Sequence, residues 1–410
     1  MKTKPIVFQI NSSCNRGSTG RIAEQIGRAA QERGYECYIA YGRYYQPSEL
    51  NAIKMGNKFT NAIHGISSRI LDNHGLMSTE PTKNLVKQMK EIKPDIVHLH
   101  NIHGYFLNYK VLFEYLASAH IPIVWTLHDC WPFTGHCAYF DFAGCNLWET
   151  GCHAPCPCKK GYPESLLMDA SKKNYELKKK LFTSVDNLTL VPVSEWLGDL
   201  VSKSYLNKNP IKVIHNGIDV EKFKPQVDTE ALKKRYNISN KNIVLGVAAI
   251  WEPRKGFDDF LKLRNELPAN YIIVLVGVSA EQKKMLPEGV IGVEHTESLD
   301  ELVKLYSSAN VFVNPTYEDN FPTTNLEALA CGTPVITYKT GGSVEAVFDG
   351  TGSVVEQGDI FGLKTQIELL CSKDRTRMRH ECRQRAIDNF KAENRFEDYV
   401  DLYDSLIDKE

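Results

Sequence analysis

Short apolar, β-branched runs recur along this chain, and between them lie stretches whose apolar residues return at helical spacing. Residues 6–10 (Ile-Val-Phe-Gln-Ile) predict a buried strand, 11–19 a polar loop, 20–30 a helix and 35–41 a second strand. Residues 46–83 are irregular and polar, with a helix over 61–72. A helix over 85–92 and strands over 94–100, 121–127 and 188–193 follow, then a helix that Ser194 caps. After a strand at 211–214 the pattern breaks into a polar crossover containing Pro225, then restarts. Strands at 243–249, 271–276, 290–293, 311–315 and 335–337 alternate with helices at 257–267, at 299–308 and after Pro322. This alternation is the signature of doubly wound α/β domains.

At 410 residues the chain exceeds one ordinary core, so the restart reads as a second domain. The expected division is 1–207, 208–374 and a charged helical segment 375–410. A net charge of -1 lacks the basic excess of a nucleic-acid binder. No apolar run is long enough to span a bilayer, and the first residues read as a strand rather than a signal peptide. A cytoplasmic location is therefore expected. In such a compartment eleven cysteines point to free thiols or metal ligands before disulfides.

The candidate chemistry centres on residues 311–332. A strand, the polar loop Tyr317-Glu318-Asp319-Asn320-Phe321-Pro322 and a helix running to Gly332 form a layout whose helix start offers N–H groups to an anion. Asp319 in the loop and Glu327 about two turns into the helix are carboxylates suited to holding a diol, such as a ribose or hexose. Alone, this is an ordinary capped surface helix. Arg254, Lys255 and Gly256, between a strand and a helix, suit a diphosphate, Arg as a fork and Lys as a point charge. In the first half, Gly17 and Gly20 lie in a loop without the GxGxxG pattern, so a dinucleotide site is unsupported. His98 and His100 share one strand face, and His128, followed by Asp129, stands at a strand's carboxyl end. The alternative for each histidine is a core residue bonded to backbone, a reading that suits His98 more than His128, whose position is at the strand's edge.

Five cysteines crowd residues 137–158. Cys137, Cys145, Cys152 and Cys156 are evenly placed and suit a structural zinc, with Cys158 as a substitute ligand. Disulfides or reduced thiols are the alternatives, since the spacing is not the paired CxxC of zinc folds. Residues 166–183 form a basic amphipathic stretch, either a solvated helix face or a peripheral contact with an anionic membrane, at its inner face.

Taken together, His215-Asn216-Gly217-Ile218-Asp219 with Phe223 and Pro225, Arg254-Lys255-Gly256, and Asp319 through Val335 resemble the retaining GT-B glycosyltransferases that use nucleotide sugars. That family includes capsule, exopolysaccharide and lipopolysaccharide sugar transferases. The resemblance implies two Rossmann-like domains facing across a cleft, with the last helices crossing back to the first domain. It implies that Glu327 holds the donor ribose, that Asp319 and the backbone of Phe321, Pro322, Thr323 and Thr324 face the donor sugar and phosphates, and that Arg254 and Lys255 hold the diphosphate. Gly20 would lie in a loop closing over the donor, and His128 would face the transferred sugar. The implied reaction moves a hexosyl group from a UDP- or GDP-sugar to a glycan or lipid-linked acceptor, with no cofactor required for catalysis. Two departures stand out. The family usually has Glu where Asp319 stands, with Glu318 one position early, and Ala249 stands where many members carry Arg. A sugar-nucleotide 2-epimerase shares the fold, and a zinc-loop interaction module is the reading from another class.

Overall fold

The computed structural model describes residues 4–408. They form two compact units, one of residues 4–215 with 395–408 and one of residues 216–394. Unit 1 holds a sheet of β1 (Ile6–Cys14), β2 (Glu36–Tyr45), β3 (Asn51–Lys54), β4 (Ile96–Leu99), β5 (Ile123–Leu127) and β6 (Leu188–Pro192). Unit 2 holds β7 (Asn242–Val247), β8 (Tyr271–Val276), β9 (Val290–Val293), β10 (Val311–Asn314), β11 (Val335–Tyr338) and β12 (Gly352–Val355). The strand orders are β3-β2-β1-β4-β5-β6 and β12-β11-β10-β7-β8-β9. All pairings are parallel. Numbered within its own unit, each sheet has the order 3-2-1-4-5-6, which reverses between its first and fourth strands. Ligands of such sheets bind at that reversal, beyond the carboxyl ends of the strands.

Parallel strands are covered on both faces, which is why β4, β5, β6, β8, β10 and β11 are buried along their whole length. The differences from expectation are local. β1 runs on to Cys14, pairing with Tyr45 across a register shift between Asn11 and Ser13, and with the next helix opening at Gly17 only residues 15–16 of the expected polar loop remain. Residues 46–83 are less irregular than their composition suggests: β3 and the Lys58–Leu71 helix lie within them, and the Thr79–Ile92 helix begins six residues before the expected start at 85. The expected strand at 211–214 reduces to a single bridge, Leu190 to Ile211. The boundary between units falls at 215/216 rather than 207/208. The Arg375–Phe390 helix is part of unit 2, where Arg383 donates to the carbonyls of Phe223 and Ala330, so the return to unit 1 starts at Arg395, not at 375.

The cysteine-rich stretch packs into the core of unit 1. Phe133, Phe140 and Trp148 stack within 5.3–6.4 Å of one another and continue the main core of unit 1.

Candidate functional site at the sheet reversal of unit 2

β7 and β10 are neighbours, with Val244 opposite Val311 and Leu245 opposite Phe312. The loops leaving their carboxyl ends therefore start side by side. After β7 comes the turn Pro253–Lys255, and after β10 the loop 315–322. Three bonds fasten one to the other. The Tyr317 amide and the Thr316 hydroxyl donate to the Arg254 carbonyl at 2.8 and 3.3 Å, and Arg254 Nη1 donates to the Glu318 carbonyl at 3.0 Å. Gly256 is required here. Its φ is +75°, and a Cβ on it would lie 2.2 Å from the Pro315 carbonyl oxygen. The close approach brings Lys255 Nζ onto the Asp319 carboxylate, a half-buried ion pair.

The loop ends in the Thr323–Ala330 helix, whose first turn carries no acidic residue, so the positive end of the helix is not offset from within its own first turn. Phe321 anchors the helix start: it is buried, its ring lies 5.7 Å from Phe390, and its carbonyl accepts from Asn216 Nδ2. That contact gives Asn216, part of the His215-Asn216-Gly217 motif, a structural task. Glu327 lies four residues after Thr323, little more than one turn into the helix rather than two, and accepts from the Tyr306 hydroxyl at 2.8 Å. Of the two adjacent acids, Asp319 meets the lysine, whereas Glu318 is buried. Thus Arg254, Lys255, Asp319, Phe321, Pro322, Thr323, Thr324 and Glu327 are brought to one edge of one sheet.

Two supports were missed by sequence reasoning. Asp259 is buried and accepts from both Tyr317 and Tyr338 hydroxyls, at 2.7 and 2.9 Å, fixing the Phe257–Glu266 helix beneath the loop. Its signal was an acid beside Phe260 on the helix's apolar side. Tyr306, which orients Glu327, carried no signal in the sequence beyond a helical period.

The glycosyl transferases group 1 family model matches residues 228–389, and the glycosyltransferase family 4 model matches residues 19–222. WcaC of Escherichia coli (strain K12), a glycosyl transferase named for colanic acid biosynthesis, is 26% identical over 98% of this chain and 100% of its own length. A Campylobacter jejuni diphospho-undecaprenol N-acetylgalactosaminyltransferase is 30% identical over 52% of this chain and 60% of its own. Sucrose-phosphate synthase from Thermosynechococcus elongatus superimposes with a TM-score of 0.73 at 17% identity, covering 99% of this chain and 100% of that one. Anabaena HepE with UDP-glucose does so at 0.67 and 14%, covering 98% and 99%.

This chain belongs to the GT-B glycosyltransferases.

In this GT-B chain the remaining expected residues lie in unit 1, where they are described by themselves. Gly20 is not in a loop. Because β1 is longer than expected, the helix opens at Gly17, and Gly20 is buried one turn inside it. A Cβ there would meet Ser13 Oγ at 2.8 Å, so the glycine serves the approach of helix to strand. His128 follows β5 and stacks on His100, with Nε2 3.3 Å from His100 Nδ1. Burial lowers its pKa to about 4, so it is a neutral imidazole at ordinary pH. His98 is a core residue, as read first, held by side chains rather than backbone: its Nε2 lies 2.8 Å from Thr126 Oγ1, and its Nδ1 meets the Tyr403 hydroxyl.

Among the thiols, Cys158 lies between Cys137 and Cys156, and its hydrogen bond with Cys156, followed by burial, pushes the Cys156 thiol up. Cys152 instead accepts from the Gly135 amide, 3.1 Å away. Among the described residues, no group of three or more His, Cys, Asp or Glu side chains is disposed to hold a metal ion. The basic stretch 166–183 is divided. Its helix, Ser171–Phe182, buries Tyr175, Leu181, Phe182 and also Lys178, so that lysine is not on a solvated face. Lys178 Nζ donates to the Trp131 and Thr134 carbonyls at 2.8 and 3.2 Å and lies 3.5 Å from the Trp131 ring centre. Among the described residues, no helix is long and apolar enough to cross a membrane.

Proposed function

We propose that this chain is a retaining hexosyltransferase that moves a hexosyl group from a UDP- or GDP-sugar to a glycan or lipid-linked acceptor in surface polysaccharide biosynthesis. One observation carries the reading: a cationic turn, a helix start with no acid in its first turn and a carboxylate share the reversal point of one sheet. Breaking the bond between C1 and the phosphate oxygen places negative charge on the departing diphosphate. Arg254, Lys255 and the helix start at Thr323 supply fixed positive charge for it, and Glu327 accepts from a ribose hydroxyl. Asp319 pairs with Lys255; in this reading it faces the donor sugar, and the donor phosphate competes with it for the lysine. His128, neutral, offers hydrogen bonds to a sugar without adding charge. The similarity to WcaC supports the polysaccharide setting, and that to HepE with UDP-glucose supports the donor class.

A thermal-shift screen of nucleotide sugars tests the donor. The cognate donor raises the melting temperature, and Lys255→Ala or Glu327→Ala abolishes both that shift and transfer while leaving the chain folded, Glu327→Ala at a lower unliganded melting temperature because the buried Tyr306 hydroxyl loses its acceptor. Near-normal turnover in either variant refutes the placement. Release of free nucleoside diphosphate separates transfer from 2-epimerisation, which yields an isomer. The cysteine cluster we read as structural. Zinc held by Cys137, Cys145, Cys152 and Cys156, with Cys158 as substitute, is its metal form, and stoichiometric zinc in the purified protein tests it.

A further inference from the structure

The Lys58–Leu71 helix is turned inside out. Its buried residues are His64, Gly65 and Ser68, and it is held to unit 1 by polar contacts. The Gly75 amide donates to His64 Nε2 at 3.1 Å, His64 Nδ1 lies 2.9 Å from Ser78 Oγ, and Asn61 Nδ2 donates to the Gly42 carbonyl at 2.7 Å. Its apolar side chains point outward instead. Phe59, Ile63, Ile66 and Ile70 follow the i, i+4, i+7, i+11 spacing of a single stripe and are 72%, 42%, 58% and 39% exposed. A helix in water normally places such a stripe inward. An exposed apolar patch of this continuity marks a surface that something covers.

The patch extends beyond the helix. The amides of Leu166 and Met168 donate to the carbonyls of Arg69 and Ile70, at 2.7 and 3.1 Å, laying residues 166–168 along the helix's last turn. Leu166, Leu167 and Met168 are themselves exposed. Charge selects the occupant. The helix contains Lys58 and Arg69 and no Asp or Glu, and the segment that follows the patch adds exposed Lys172 and Lys173. Of the acids nearby in the chain, Glu164 lies 3.8 Å from Arg69, Asp72 is buried against His136, Asp169 accepts from Ser171 and the Cys156 amide, and Glu176 is exposed on the helix that carries Lys172 and Lys173.

We infer that this face of unit 1 seats in the surface of an anionic phospholipid bilayer, with the Phe59–Ile70 stripe and residues 166–168 among the acyl chains and the lysines at the headgroups. An apolar stripe flanked by cations is the chemistry of an interfacial helix, which lies in the headgroup region without spanning it. A bilayer satisfies both halves of the patch, whereas a second copy would bring the same cations face to face. The inference does not depend on the donor assignment, because all of these residues lie in unit 1.

The test is co-sedimentation of the full chain with vesicles of phosphatidylcholine containing about 30% phosphatidylglycerol, against pure phosphatidylcholine vesicles. The chain is expected to bind the anionic vesicles and to be released by salt. Phe59→Ser with Ile66→Ser is expected to lower that binding about tenfold or more, at unchanged melting temperature and unchanged thermal shift with nucleotide sugar. Lys172→Glu with Lys173→Glu, which leaves the apolar stripe intact, is expected to lower binding to anionic vesicles alone. Wild-type binding that is absent, equal on both vesicles, or indifferent to these substitutions overturns the inference. So does a dimer in sedimentation velocity that the Phe59/Ile66 pair of substitutions dissociates, since a second copy would then be what covers the face.

Discussion

Unit 1 and unit 2 fold around sheets of the same strand order, yet their reversal points carry different chemistry. In unit 2 the loops after β7 and β10 present Arg254, Lys255 and a helix start, with Asp319 and Glu327 beside them. In unit 1 the residues beyond β4 and β5 include His100 and His128, which burial keeps neutral, and the loop after β1 is shortened by a strand running to Cys14. The topology decides where a ligand sits, and the loops decide its charge. A fixed cationic turn is costly to leave without an anion, and here Asp319 fills that place. A cluster of uncharged imidazoles suits polar neutral groups such as sugar hydroxyls.

The comparison breaks if charge in unit 2 turns out not to matter. Lys255→Ala is expected to have the largest effect, lowering kcat/KM by about 10²–10³ with little change in melting temperature. Steady-state kinetics with the donor found in the screen measures it, and a loss below tenfold would remove Lys255 from the phosphate site. Glu327→Gln comes next. Replacing a charged acceptor by a neutral one is expected to raise the donor KM by about 10–100-fold, because a hydrogen bond to a charged group is worth roughly 1.5–3 kcal/mol. Tyr306, which donates to Glu327, keeps a partner in this variant, so kcat should fall less than KM rises.

Asp319→Asn separates the two halves of the ligand. With the carboxylate gone, Lys255 no longer has a competitor for phosphate, so free nucleoside diphosphate is expected to bind about two- to fivefold tighter by titration calorimetry. Transfer should nevertheless slow, because the proposed reading has Asp319 face the donor sugar. Equal or weaker diphosphate binding would mean that Asp319 orients the lysine rather than occupying it.

How much of this was legible in the sequence follows from which forces act locally. Buried parallel strands announce themselves as apolar runs, and the Arg254-Lys255-Gly256 and Asp319–Glu327 segments carry their chemistry in adjacent residues. What failed depends on tertiary context. β3 is a four-residue edge strand with no buried residue, Asn51-Ala52-Ile53-Lys54, and nothing in its composition sets it apart from a loop. The strand expected at 211–214 has the right residues and finds only one bridge. The Lys58–Leu71 helix has a strong apolar period, which shows where the stripe lies but not which way it faces. Lys178 was readable in principle. Ser171, Asn174, Tyr175, Lys178, Leu181 and Phe182 form one helical stripe, so the lysine at the third step faces inward while Lys172, Lys173, Lys179 and Lys180 do not. A count of lysines concealed that; the period exposes it.

Lys178 also gives the smallest and most direct check on whether unit 1 holds a buried cation. Burial lowers its pKa to about 7, against an ordinary lysine value near 10.4, although the two carbonyls and the Trp131 ring favour the ammonium. A group whose folded pKa is depressed binds fewer protons in the folded chain than in the unfolded one between about pH 7 and 10, so its contribution to stability rises with pH across that window and is lost as pH falls through about 7. Other groups titrate there too, which is why the useful quantity is a difference. The melting temperature of the wild type minus that of Lys178→Met should grow by several degrees as pH rises through the window, because the variant lacks the titrating group and keeps every other one. A difference that stays flat would mean that the carbonyls and the indole hold a full charge in the core. Unit 1 would then hold a charged lysine in its core alongside the buried acids Asp72 and Asp129, and the contrast between the two reversal points would rest on the histidines alone.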